Sequence, residues 1–241
     1  MGGLGAMTTM SDAEFVGVDG AKGRWVAVAL TSTGSFASAI LRDSLAGVVE
    51  SFPAAKAVGI DVPIGLPIGG PRAADLEAKM LLGPRRATIF SVPPREVLVQ
   101  GSYAEARSKA VELTGKSLSA QSFALRHNIL EAEALVASLP EALSSRIYEV
   151  HPELSFRALC GRVLLTSKKS WNGAGERRAA LEEAGIVLPG FLNGAGDIPV
   201  DDVLDAAVAA WSAKRIEEGS AGCVPLEQSL DERGRKIAVW Y

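Results

Sequence analysis

Two apolar runs of this chain close on an aspartate: Phe15-Val16-Gly17-Val18 on Asp19, and Ala57-Val58-Gly59-Ile60 on Asp61. A third, Arg146–Val150, carries Glu149 near its end, and Asp202 and Asp205 stand three residues apart further on. A carboxylate is costly to bury unless it is paired or holds a metal. Taken singly, an aspartate after a strand is ordinarily a turn residue, and one at a helix start is ordinarily an N-cap. Glu149 could equally pair with an arginine. Asp205, deeper among Val203, Leu204 and Val208, is not explained as a cap. Side chains three apart on a helix share a face, so Asp202 and Asp205 can be presented together. Convergent carboxylates suit a hard, oxygen-seeking ion such as Mg²⁺ or Mn²⁺. Two such ions about 3.5–4 Å apart would hold the attacking and leaving oxygens of a phosphoryl displacement. Asp19, Asp61, Glu149 and Asp205 are the candidate ligands. Asp202 and His151 complete the candidate catalytic set, since a histidine near neutral pKa can relay protons, although His151 beside Pro152 suits a structural role as well.

The basic residues are clustered. Residues 83–95 hold Arg85, Arg86 and Arg95 with no acid, and residues 157–178 hold six Lys and Arg against Glu176. The formal net charge is −3, so the rest of the chain is strongly acidic. That balance argues against a general nucleic-acid coat protein but allows a polyanion to lie across one face. Lys22, Arg85, Arg86, Arg95, Lys168 and Lys169 are candidate phosphate contacts, which position a backbone without reading its sequence. Trp171 beside the lysines is a candidate stacking platform for an unpaired base, although a lone loop Trp more often covers a core edge.

The elements that must deliver these residues follow from the pattern. The 241 residues are 48% hydrophobic, ample for a full core, and no apolar run approaches the roughly 20 residues that span a bilayer. Residues 1–12 lack the charged and apolar regions of a secretory signal and read as a disordered lead-in. Cys160 and Cys223 are far apart and outside any C-x-x-C spacing, as expected of reduced thiols in a cytoplasmic protein. Val16, Val18, Trp25, Val26 and Val28 suit a strand pair around a Gly-rich turn, with Gly20 and Gly23 supplying its backbone freedom. Further strands are expected at 35–41, 57–61 and 146–150, and helices near 72–83, 95–113, 118–138 and 175–184, with residues 170–173 as a loop. A last long helix begins at 201–202, and residues 222–241 form a terminal hairpin whose edge could pair with a second copy. This order gives a single α/β domain over residues 13–241 with a helical insertion at about 72–140.

The motifs also resemble a family. Gly17-Val18-Asp19-Gly20 with Lys22-Gly23-Arg24-Trp25, and Gly59-Ile60-Asp61-Val62-Pro63-Ile64-Gly65, are similar to the DUF429 family of predicted nucleases. So are Gly83-Pro84-Arg85-Arg86 through Pro94-Arg95, Glu149-Val150-His151-Pro152-Glu153, Ser167-Lys168-Lys169 and Asp202-x-x-Asp205. Ala21 stands where relatives often have cysteine. The resemblance covers roughly 15–220 and implies an RNase H-like fold, a mixed five-stranded sheet with flanking helices. It implies that Asp19, Asp61 and Asp205 with Asp202 form the metal site, with Glu149 and Glu153 as further acidic positions. The expected activity is a Mg²⁺- or Mn²⁺-dependent nuclease. Two other readings stand beside it. The first is a phosphotransferase of the sugar-kinase and actin type, suggested by Asp19-Gly20-x-x-Gly23. Such enzymes need two of these domains, and this chain has one such hairpin and no P-loop. The second is a binding module that keeps the fold without the chemistry.

Overall fold

The structure, a computed structural model, describes residues 12–241. The expected lead-in, 1–12, lies outside the described residues except for Asp12. The first three strands are β1 (Phe15–Ala21), β2 (Arg24–Leu30) and β3 (Phe36–Arg42), each antiparallel to the one before. β4 (Ala57–Ile60) and β5 (Ile147–Glu149) add in parallel on the other side of β1, giving the order β3-β2-β1-β4-β5. The mixed five-stranded sheet expected from the sequence is therefore present. The β1–β2 connection is the two-residue turn Lys22-Gly23, with φ of 53° and 77°. Positive φ at both positions marks the primed turn whose twist matches the flanking strands. The left-handed residue is thus Lys22 and not Gly20. At Gly20 a Cβ would stand 2.5 Å from Asn128 Nδ2, at the far end of a flexible side chain.

Helices cover both faces. α1 (Leu45–Ser51), capped by the Ser44 hydroxyl, lies between β3 and β4. Between β4 and β5 come α2 (Ala73–Leu82), a 3₁₀ turn (Gly83–Thr88), α3 (Arg95–Leu98), α4 (Tyr103–Thr114), α5 (Ala120–Ala124), α6 (Arg126–Ser138) and α7 (Glu141–Ser144). Leu45 and Val48 of α1 and Ile129, Ala132 and Val136 of α6 bury against Val16, Val18, Val58 and Ile60. The helices expected at 95–113 and 118–138 each break in two. Ser102 forms a capping box with Glu105 that starts α4 afresh, whereas Ser119 caps α5 at the expected start and the break falls at Leu125, which carries no side-chain cap. On the opposite face lie α8 (Pro152–Cys160), α9 (Trp171–Glu183) and α10 (Val200–Glu217). The expected loop at 170–173 is the start of α9 instead, because the Ser170 hydroxyl accepts the Gly173 N–H as an N-cap. The hairpin β6 (Cys223–Leu230) and β7 (Lys236–Trp240) closes the chain, and Trp240 bridges to Val150 beyond β5.

The close seat of α10 decides where its acids end up. Its alanine face, Ala206, Ala207, Ala209 and Ala210, is fully buried against the sheet. The opposing strands present Gly17 and Gly59, where a Cβ would lie 2.0 Å from Ala206 O and 2.8 Å from Ala209 O respectively. Both partners are backbone and cannot yield as a flexible side chain would. Gly17→Ala is therefore expected to lift α10 from β1 and cost at least about 3 kcal/mol, at the upper end for overpacking. Urea unfolding measures this directly. An unchanged midpoint would mean that the helix is not held at this distance.

Candidate metal centre

Asp19 comes from the last turnward part of β1, paired across the sheet with Val26. Asp61 is the first residue after β4, and its N–H still donates to Val18 O at 2.9 Å. Asp205 arrives from the second turn of α10. These three elements meet at one edge of the sheet, where one carboxylate oxygen from each residue lies within 4.8 Å of the others. Asp19 and Asp205 are buried, and Asp61 is partly so. Asp19 Oδ1 accepts the Gly20 N–H at 2.6 Å. Asp205 Oδ2 accepts from the Lys168 ammonium, while its Oδ1 is buried without a hydrogen-bond partner.

Burial is the main cause of the acids' altered protonation. It pushes Asp61 up to about 6 and Asp205 up to about 7, and raises Asp19 well above the usual carboxylate range. Asp61 and Asp205 raise Asp19 further, whereas Lys168 pulls all three down. The same acids hold the Lys168 pKa above its ordinary value. Three carboxylates gathered out of water with one ammonium among them are a costly arrangement unless a cation joins them. Two oxygens on a single Mg²⁺ at about 2.1 Å lie at most about 4.2 Å apart, so this spacing is near that of ligands on one ion. The orphaned Asp205 oxygen and the all-oxygen donor set both fit such an ion.

The centre opens into a cavity of about 420 Å³ that also takes in Asp202, His151, Arg85, Lys168 and Lys169. Asp202 is half-buried one turn before Asp205. His151 has its Nδ1 buried without a partner. Burial lowers its pKa, and the Thr88 carbonyl, Glu153 and Asp205 partly offset that. Glu149 lines the same cavity but is otherwise engaged. Its Oε1 accepts from Arg72 Nη2 at 2.6 Å, and its Oε2 accepts from Arg72 Nη1 at 2.8 Å and from the Ile64 N–H at 2.7 Å. The expectation that Glu149 is a metal ligand is therefore corrected: both its oxygens are spent tying the segment after Asp61 to β5. Arg72 also bonds Asp75, whose second oxygen accepts the Val92 N–H at 3.0 Å. Removing a guanidinium that two buried acids share leaves both uncompensated. Arg72→Met is thus expected to destabilise the fold by about 3–5 kcal/mol in urea unfolding.

The basic stretches are less free than their charge suggests. Arg177 is fully buried and donates to Glu153 Oε1 at 2.7 Å, where Arg85 joins it at 3.2 Å. Arg95 pairs with the buried Glu133, and Arg162 with Glu176 at 2.6 Å. Arg86, Lys22 and Lys169 are exposed. Trp171 is 92% exposed and covers no core edge. Arg72, Arg177 and Asn128 were not singled out from the sequence. Arg177 lies in a basic run that reads as solvated, and nothing local marks Arg72 or Asn128.

The family model described as "Protein of unknown function (DUF429)" matches residues 17–229, which takes in all three acids of the centre. The chain belongs to the DUF429 family. No curated protein and no solved structure matches it. The DUF429 match spans every strand of the five-stranded sheet, from within β1 onward, and reaches into the hairpin. Among the described residues of this DUF429 chain, no helix is long and apolar enough to cross a membrane.

Proposed function

We propose that this protein is a metal-dependent phosphodiesterase of RNase H-like type, hydrolysing nucleic-acid phosphodiester bonds with Mg²⁺ or Mn²⁺. The observation that carries the reading is the convergence of Asp19, Asp61 and Asp205 on a cavity edged by cationic side chains. A divalent cation supplies Lewis-acid polarisation of a phosphoryl oxygen and acidifies water near neutral pH. Asp19, Asp61 and Asp205 would hold it. Arg85 and Lys169, which line the cavity, would orient the phosphate, and the exposed Lys22 and Arg86 would be further contacts for the backbone. Arg95 serves less well while Glu133 occupies it, and exposed Trp171 can stack a base of the bound strand. His151, whose Nδ1 is buried without a partner on the wall of the same cavity, would accept a proton there.

The test is a panel of single-stranded, duplex, branched and hybrid nucleic acids with Mn²⁺ or Mg²⁺. Cleavage of at least one class is expected, abolished by EDTA and by Asp19→Asn. Metal binding with no hydrolysis anywhere on the panel would remove the nuclease reading and leave a metal-binding module. Tight ATP binding without cleavage would favour phosphotransfer.

A further inference from the structure

The acids around the cavity can be matched with cations one by one, and the remainder is informative. Glu149 and Asp75 share Arg72. Glu153 has Arg85 and Arg177. Asp201 and Asp202 sit in the first turn of α10, where the helix dipole favours negative charge, and Lys22 and Lys169 act on Asp202. Asp205 has Lys168. Asp19 and Asp61 are left. Among the described residues neither has an ion pair, and the Asp61 carboxylate accepts no hydrogen bond. Lys168 acts on both from a distance, but its direct bond goes to Asp205, and two carboxylates without a cation of their own match the charge of one divalent ion.

The root of Lys168 is also held fast. Ser167 O accepts both the N–H and the hydroxyl of Ser170, at 2.9 and 2.8 Å. Gly173 abuts the same carbonyl so closely that a Cβ would lie 1.9 Å from it. Thr166 O accepts from buried Arg177 at 3.3 Å. The lysine is thereby anchored against α9 and aimed at Asp205, not carried on a free loop.

We propose that the centre is mononuclear, with one divalent cation shared by Asp19, Asp61 and the free oxygen of Asp205, and the Lys168 ammonium serving as the second positive charge. This rests on the metal-dependent reading above and revises the pair of cations expected from the sequence. Lys168 blocks a second ion in two ways: it occupies one oxygen of Asp205, and its charge repels another cation. In exchange the two donors it does not spend on Asp205 can face a phosphoryl oxygen that a second ion would otherwise contact.

Titration of Mn²⁺ alone into the full-length protein, by calorimetry and electron paramagnetic resonance, tests this without any substrate. One Mn²⁺ per chain with an uncoupled six-line spectrum is expected for the wild type. Lys168→Arg should stay at one, and Lys168→Met should rise to two with a spin-coupled signal. Two ions in the wild type, or Lys168→Met remaining at one, would overturn the proposal and leave metal dependence intact. No Mn²⁺ in the wild type would overturn both.

Discussion

Asp61→Asn is expected to weaken Mn²⁺ binding at least about 100-fold and, in the same protein without metal, to raise stability. The first effect follows because one of three ligands is replaced by a neutral amide, a larger change than losing an outer-shell partner at 10–100-fold. The second follows because the Asp61 carboxylate is held up near 6 by burial and has no hydrogen bond to lose. At pH 7.5 the wild type must keep that carboxylate ionised beside Asp19 and Asp205, and the amide need not. The gain should be roughly 1–2 kcal/mol, a few degrees in melting temperature for a chain of this size. Calorimetric titration and a thermal melt on the same preparation read both numbers. A variant that binds Mn²⁺ as tightly as the wild type would show that residue 61 is not a ligand. Stability gained where function is lost is the usual mark of a strained, charge-loaded site.

The metal-free protein should grow less stable as pH rises from 5 to 8, opposite to the behaviour of ordinary salt-bridged carboxylates. Asp61 at about 6 and Asp205 at about 7, together with a raised Asp19, bind protons in the native state that the unfolded chain has released above about 4. A group whose native pKa is raised favours the fold below its unfolded value and loses that contribution as pH passes through the native value. The expected fall across this range is about 2–4 kcal/mol, most of it between pH 5 and 7.5. His151, whose pKa is lowered, works the other way below about 6.5 and offsets part of the loss. Addition of millimolar Mg²⁺ should restore the melting temperature at pH 8 and do little at pH 5, where protons already occupy the carboxylates. A metal-free melting temperature that rises steadily from pH 5 to 8 would mean that these acids are compensated in some other way.

The sheet was readable because its strands carry their own punctuation. Val16, Val18, Val58 and Ile60 give apolar runs that stop on acids, and Lys22-Gly23 turns between two β-branched segments. Asp19 and Asp61 were readable because each closes an apolar run, and Asp205 because it lies too deep in its helix to serve as a cap. Helix starts in the insertion were not. Ser102 restarts a helix within it, and Ser170 starts another beyond it, through local hydroxyl caps that apolar periodicity does not register. The role of Glu149 was hidden more deeply. It depends on Arg72, 77 residues away, being buried at 4% exposure, and an arginine beside prolines and glycines carries no such sign. The basic runs misled in the same way. Arg95 looks like a ligand for a polyanion, and Arg177 like one more solvated cation, until the buried acids of other elements claim them.

The seat of α10 on Gly17 and Gly59 has a consequence for how the protein comes into being. Two of the three acids of the centre belong to the first 61 residues of the chain, but the third enters only with residue 205. A nascent polypeptide on the ribosome, or a fragment cut before that helix, has Asp19 and Asp61 in hand and no complete cage for an ion. On the proposed reading, capture of Mn²⁺ would therefore be an assembly marker, reporting that the last helix has docked.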